Sequence, residues 1–213
     1  MDQRKNNHAV LLVELALAYF LVLATIWTAH ATQRILFYIT AAWFLLALIL
    51  AVKRGQPLGL ERLPLRMAMI TVSLTIVIAT AMMAIAYAAG TLHGLFGVRR
   101  PLLHAFTYLL WSLAQQYIQQ SFFLVRIEQL ISHGRLATLT TALLFGLAHL
   151  PNPVLAPVTF AGGWVLSELF HRYRSLYPLA VAHGLIGLAI AISMPDQIHH
   201  HMRVGLGYLR YPK

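Results

Sequence analysis

The feature that most constrains this chain is a series of apolar runs, each about as long as a membrane is thick. Runs of roughly 18 or more residues recur, and each could cross about 30 Å of hydrocarbon as a helix. They are continuous rather than alternating, which favours helices over barrel strands. Only 10% of the 213 residues are charged, against about 25% in a soluble domain. The sequence predicts an all-α, polytopic integral membrane bundle of seven or eight transmembrane helices, in a single membrane domain over residues 1–213.

We place seven spans on these runs, and an eighth, re-entrant segment would fit the same pattern. The spans are 9–30, 35–52, 67–95, 102–125, 136–149, 154–170 and 176–194. Basic residues flank them, so the net charge of +10 indicates topology signals and contacts with anionic lipids rather than nucleic acid. The side that holds the N-terminus carries more Lys and Arg. This predicts a cytoplasmic N-terminus, in what we expect to be a bacterial inner membrane.

Polar side chains interrupt three of the runs. The fourth holds two adjacent glutamine pairs, Gln115, Gln116, Gln119 and Gln120. On a helix, a four-residue offset places both pairs on one face. The fifth run ends in Phe145 and His149, also four residues apart, and the seventh carries His183. A rise of about 1.5 Å per residue brings these groups to a similar depth near mid-membrane. The spacing therefore predicts that they meet in one buried site.

These residues resemble the motifs of the CPBP family of membrane proteins. That family includes CAAX prenyl endopeptidases and bacteriocin-processing and self-immunity proteins. Its pattern is E-E-x-x-x-R-G, then F-x-x-x-H, then H-x-x-x-N, on separate transmembrane helices. Phe145 and His149 match the second motif, and His183 matches the start of the third. The resemblance implies a family-like core over about residues 101–194.

The chain departs from the family at the positions that would carry the chemistry. The family's glutamates fall on Gln115 and Gln116, its arginine on Gln120, its glycine on Ser121 and its asparagine on Gly187. In the family a glutamate is thought to activate water, and an amide cannot take up water's proton. The resemblance thus implies an endopeptidase-like protein whose catalysis is lost or altered. The ancestral catalytic positions are Gln115, Gln116, His149 and His183, and the cavity-lining positions are Gln119, Gln120, Phe145 and Gly187.

Other functions stay open on the sequence. The chain could be an active intramembrane endopeptidase, a hydrolase of membrane-anchored or lipidated peptides that uses His149 and His183. It could also be a small-molecule transporter or a haem-binding membrane protein, with His93 and His104 as the candidate haem ligands. The four glutamines could equally act as interhelical hydrogen-bond glue.

The sequence predicts no cofactor. It contains no cysteine, and amides and imidazoles alone make a poor zinc site. Zinc is therefore possible but not favoured, and we assign no metal ligands. Glu14 and Glu168 are the carboxylates within apolar runs that could replace the missing base. The run His199–His201 could bind a transition metal, although three adjacent histidines at a polar end are more simply solvated. Expected partners are membrane lipids and a membrane-anchored or lipidated peptide or protein, with no nucleic acid.

Overall fold

The computed structural model describes residues 2–93 and 100–211, and helix makes up 79% of it. Within these residues no strand occurs, which confirms the predicted all-α fold. The helices are α1 Asp2–Ile26, α2 His30–Lys53, α3 Leu65–Ala88, α4 Pro101–Gln116, α5 Val125–Leu130, α6 Gly134–Leu147, α7 Leu155–Tyr173, α8 Tyr177–Ser193, α9 Asp196–His199 and α10 Gly205–Leu209. Arg99, one of the basic residues that flank the predicted spans, lies outside the described residues.

Within residues 2–93 and 100–211, three helices are long and apolar enough to cross a membrane. They are Asn7–Ile26, His30–Lys53 and Leu65–Ala88. Their most apolar windows are only 11%, 11% and 17% buried, and large side chains such as Phe20 and Val77 are exposed. So much exposed apolar surface requires lipid around it. The chain is an integral membrane protein, whereas the number of spans and the side of the N-terminus stay predictions.

The longest polar-bearing helix changes its winding where the glutamines occur. The helix α4 starts with Pro101 in its first turn, where a missing N–H costs nothing. It continues without a break into a π-helical segment, Tyr117–Leu124, and then into α5. A π-helix is a wider, rare form that often occurs at functional sites. Here it turns several polar side chains into the bundle, where Gln119, Gln120 and Ser121 are buried.

Small residues let the helices around the site approach closely. The helix α8 packs on both α3 and α4, and α6 packs on α7. A Cβ atom at Gly184 would lie 2.4 Å from Leu109 Cδ2, and one at Gly146 would lie 2.8 Å from Phe160 Cβ. At Gly146 the neighbouring atoms are the Phe160 Cβ and backbone, so a larger residue would push the helices apart, whereas at Gly184 the end of the Leu109 side chain would have to shift. Small residues at close crossings are typical of membrane helix pairs.

One end of the bundle is closed by the loop 54–64, and we call it the loop end. The Ser121 hydroxyl donates to the Leu58 carbonyl at 2.7 Å, and the Ser175 hydroxyl donates to the Arg62 carbonyl at 2.8 Å. Beneath the loop lies a core of large apolar side chains, which includes Phe122. The loop therefore fixes the end of the π-helical segment.

The opposite end carries the C-terminal residues 194–211, and we call it the tail end. Asn152 joins the tail to the bundle, because its side-chain nitrogen lies 2.9 Å from the carbonyl oxygens of both His199 and Arg203. Its side-chain oxygen accepts the backbone N–H groups of Val154 and Leu155 at 3.0 and 2.9 Å. One amide thus holds the tail in place and orders the start of α7.

Candidate functional site

A cavity of about 1060 Å³ lies inside the bundle. Residues of α1–α4, the π-helical segment, α6–α8 and the tail line it, and most of them are apolar. The sequence-predicted residues on its wall are Gln115, Gln119, Phe145, His149, His183 and Gly187. Among the residues that the structure describes, no carboxylate lines it. The cavity is therefore a largely apolar chamber with amides and imidazoles at one part of its wall.

Phe145 packs against both histidines. Its ring centroid lies 4.7 Å from that of His149 and 5.8 Å from that of His183, both in edge-to-face geometry. His149 follows the end of α6, and its Nδ1 lies 2.7 Å from the Phe145 carbonyl oxygen. A carbonyl accepts but cannot donate, so Nδ1 carries the proton and Nε2 keeps its lone pair. His149 is thus the basic group that this wall still offers.

Four buried side chains form a closed circle of hydrogen bonds, which we call the amide ring; Gln119 also lines the cavity, and the other three lie behind the wall. The Gln119 amide nitrogen donates to Ser167 Oγ at 3.4 Å, and this hydroxyl donates to Gln120 Oε1 at 3.1 Å. The Gln120 amide nitrogen donates to Gln116 Oε1 at 3.2 Å, and the Gln116 amide nitrogen donates to Gln119 Oε1 at 3.3 Å. Each member both donates and accepts, so the circle requires groups that can do both.

The amide ring is connected to the imidazole wall through Gln116. Its amide nitrogen lies 3.0 Å from His183 Nδ1, which therefore accepts while Nε2 carries the proton. Gln116 and Gln120 are fully buried and belong to the ring behind the wall. Gln120 was predicted from the sequence to line the cavity, and the structure places it behind instead. The π-helical winding explains this, since it turns Gln120 toward Ser167 of α7.

Tyr108 takes the space next to Gly187, where the family has its asparagine. A Cβ atom at Gly187 would lie 2.1 Å from the Tyr108 hydroxyl oxygen and 2.8 Å from two of its ring carbons. Tyr108 itself lines the cavity. Sequence reasoning missed this residue, because it belongs to no motif. Helical spacing could have identified it, because Tyr108 precedes Gln115 by seven residues, or two helical turns, and therefore lies on the same face of α4.

The two carboxylates that could have replaced the missing base are engaged elsewhere. Glu14 pairs with Arg126 at 2.8 Å. Glu168 accepts from Thr138 Oγ1 at 2.5 Å and lies 3.8 Å from Arg172. Neither carboxylate lines the cavity. Their pairing leaves His149 and His183 without an acidic neighbour on the wall.

The wall is poorly suited to a metal. Zinc sites use about four ligands, usually with charged thiolates or carboxylates among them, and this wall offers only two imidazoles and neutral amides. One His183 nitrogen is already bonded to Gln116. The candidate haem ligands His93 and His104 do not line the cavity.

The segment that carries these residues has a family match. The family described as Type II CAAX prenyl endopeptidase Rce1-like matches residues 98–189. That range covers α4 to most of α8, and hence the amide ring and both imidazoles. This match supports membership of the CPBP family. No curated protein and no solved structure matches the chain. The resemblance read from the motifs is thereby confirmed for this segment of the chain.

Proposed function

We propose that this protein binds a membrane-anchored or lipidated peptide or protein in its cavity, and that the endopeptidase chemistry of its family is lost or altered. The observation that carries the proposal is the hydrogen bond from the Gln116 amide to His183 Nδ1. At this position the family pattern has a glutamate. An amide donates a proton there but cannot accept one from water.

The amide ring supports this proposal because it is built for an amide at position 116. Gln116 donates to Gln119 Oε1 and to His183 Nδ1, while it accepts from Gln120. A carboxylate can only accept hydrogen bonds. At position 116 it would face two other acceptors, Gln119 Oε1 and His183 Nδ1, without a proton to donate to either. Loss of a general base lowers a rate by roughly 10²–10⁴. The surrounding residues thus favour glutamine over glutamate at position 116, and a glutamine cannot serve as the general base.

Binding is supported by the cavity itself. At about 1060 Å³ it is as large as the upper range of small-molecule sites, and it is mostly apolar. An acyl or prenyl chain would fit against the apolar wall, and a peptide amide would meet Gln115 and His149. Charged ligands would find no opposite charge on the wall that the structure describes.

A second candidate is an active endopeptidase with His149 as the base. One observation favours it: the bond from His149 Nδ1 to the Phe145 carbonyl leaves Nε2 free to take a proton from water. His183 lines the same cavity. In this case catalysis depends on the imidazoles alone.

The experiment uses the full chain in lipid nanodiscs with fluorescent peptides that carry a C-terminal lipidated cysteine. We expect the wild type to bind such a peptide and leave it intact. The variant Gln115→Glu/Gln116→Glu tests whether the exchange alone silences cleavage, and Gln129→Glu, at an exposed site of the same long helix, is the matched control. Absence of peptide binding by the folded wild type would contradict the proposal. Cleavage by the wild type that disappears in His149→Ala would favour the second candidate.

A further inference from the structure

A second, much smaller hollow lies along one face of α2, and we call it the α2 groove. It has a volume of about 80 Å³. Its lining residues, within the part of the chain that the structure describes, are Glu14, Trp43, Leu46, Ala47, Leu50, Ala51, Arg54, Gln56, Phe122 and Arg126. Those from Trp43 to Arg54 follow helical spacing and form one stripe along α2. None of these residues lines the large cavity, so the α2 groove is a separate place in the fold.

The backbone at the end of α2 brings two polar side chains to the α2 groove. The Gly55 N–H donates to the Val52 carbonyl at 3.0 Å, and the Gln56 N–H donates to the Ala51 carbonyl at 2.9 Å. These two bonds form a Schellman motif, in which Gly55, with a φ of 62°, is the left-handed residue. The turn fixes the backbone of Arg54 and Gln56 at the loop end, and both side chains line the groove.

Two arginines and one glutamate give the lining of the α2 groove one positive charge in excess. Arg126 Nε donates to Glu14 Oε2 at 2.8 Å, and its Nη1 donates to the Phe122 carbonyl at 3.2 Å, so this guanidinium has further N–H groups to donate. Arg54 is exposed and belongs to none of the ion pairs within the described residues. Guanidinium groups bind phosphate through paired N–H donors. The charges therefore suit a phosphate group with a single negative charge.

The rest of the α2 groove suits hydrocarbon and one further hydrogen-bond acceptor. Leu46 and Leu50 line it and are 52% and 39% exposed, so it is open to the surrounding lipid. Trp43 lies about three helical turns before Arg54. Its indole N–H is buried and has no acceptor among the residues that the structure describes. A buried tryptophan N–H usually has a partner, and an oxygen of a ligand in the groove would supply one.

We propose that the α2 groove binds an anionic glycerophospholipid, with the phosphodiester of the lipid between Arg54 and Arg126. Its acyl chains lie along Leu46 and Leu50. The ester oxygens of such a lipid lie on the hydrocarbon side of the phosphate, in the direction of the Trp43 N–H. The extended Arg54 side chain and the glycerol backbone together cover the turns of α2 between Arg54 and Trp43. The lipid thus satisfies an unpaired charge and an unpaired N–H, both of which are costly in a membrane.

A lipid bound here would connect three helices. The helix α2 packs on α1, and α1 packs on α5. The α2 groove contacts all three, through Arg54, Glu14 and Arg126. Because α5 continues the long helix that carries the amide ring, the lipid would hold the pair of α1 and α2 against the helix that bears the candidate site. The groove and the cavity use different residues, so this proposal and the proposed function can fail independently.

The test titrates the full-length protein, purified in a neutral detergent and stripped of lipid, with short-chain phosphatidylglycerol. Native mass spectrometry counts the bound lipids. We expect saturable binding of about one lipid per chain and a thermal unfolding midpoint that rises with lipid. Diacylglycerol with the same chains and inorganic phosphate each supply one part of the ligand, and each should bind roughly tenfold more weakly or worse.

Two variants change the α2 groove without changing its shape greatly. Arg54→Gln removes the unpaired charge, and Trp43→Phe removes the indole N–H but keeps an aromatic ring. We expect the affinity for phosphatidylglycerol to fall roughly tenfold in the first and about threefold in the second. The matched controls are Arg62→Gln, at an exposed arginine of the same loop, and Trp164→Phe, at an exposed tryptophan of α7. Neither residue lines the groove, so both controls should bind the lipid as the wild type does.

Four results would overturn the proposal. The first is a folded wild type without saturable phosphatidylglycerol binding. The second is diacylglycerol that binds as tightly as phosphatidylglycerol. The third is unchanged affinity in both Arg54→Gln and Trp43→Phe, which would place the lipid elsewhere. The fourth is an equal loss in Arg62→Gln and Arg54→Gln, which would indicate a diffuse basic surface. Midpoints measured without lipid separate lost binding from lost folding, because Arg54→Gln should change only the response to lipid.

Discussion

Gln115 and Gln116 are neighbours in the chain with the same chemistry, yet they lie in two different environments. Gln116 is fully buried in the amide ring, where its amide has partners on both sides. Gln115 is half-buried and lines the apolar cavity. The sequence offers interhelical hydrogen bonding and the cavity wall as alternatives for all four glutamines. The structure divides the two roles: Gln116 and Gln120 lie in the ring, Gln115 lies on the wall, and Gln119 belongs to both. The predictions below test this division.

The largest effect is expected for Gln116→Glu. The change removes two donated hydrogen bonds and brings a carboxyl group into the buried ring, next to two acceptors. An uncompensated buried charge costs about 3–5 kcal/mol, and protonation relieves only part of it. We expect the thermal unfolding midpoint in detergent to fall by roughly 10 °C. A fall of only a degree or two would mean that water reaches the ring and that the division is wrong.

A smaller loss is expected for Gly187→Ala, which tests how tightly the wall is packed. The new Cβ would lie 2.1 Å from the Tyr108 hydroxyl oxygen. Overpacking of this kind costs about 1–3 kcal/mol. The same change in a Tyr108→Ala background should cost almost nothing, so a double-mutant cycle measures the clash. Gly162→Ala, where a Cβ meets nothing within 4 Å, is the control, and an equal loss there would contradict the packing argument.

The smallest effect is expected for Gln115→Glu. This side chain faces the cavity rather than the ring, so a carboxyl group there can be hydrated or protonated without breaking the circle. We expect a loss of about 1 kcal/mol or less, which is ordinary for a half-exposed position. The measurement is the thermal unfolding midpoint of each variant in the same detergent, and a much larger fall for Gln116→Glu than for Gln115→Glu would confirm that the two glutamines lie in different environments. Equal losses at the two positions would show that one environment holds both.

Helix positions could be predicted from the sequence, because each run is predominantly apolar and is bounded by polar or basic residues or by proline. Each of the seven predicted runs coincides with a helix, or with α4 and the π-helical segment for the fourth. The four-residue spacing of the glutamines, and of Phe145 and His149, also singled out positions that correspond to the family's motifs. The helix positions and the polar positions on them both follow from the spacing of residues along one helix, and that spacing can be read from the sequence.

The partners across helices could not be predicted. The amide ring is closed by Ser167 of α7, a residue in no motif, and the π-helical winding changes which glutamine faces it. Likewise Tyr108 approaches Gly187 only because small residues let α8 and α4 come close. Contacts of this kind depend on the distance and rotation between helices, which hydropathy along one chain leaves open.

The contact of Tyr108 with Gly187 has a consequence for the evolution of this chain. Glutamine and glutamate codons differ by a single base, so mutation alone could return the carboxylates easily. An asparagine at position 187 would require at least two base changes in its codon, and the new side chain would find its space filled by Tyr108. A lineage would first have to replace the tyrosine, a step with no benefit of its own. Tyr108 would thus oppose the appearance of the complete family motif in this chain, even where single base changes supply the glutamates.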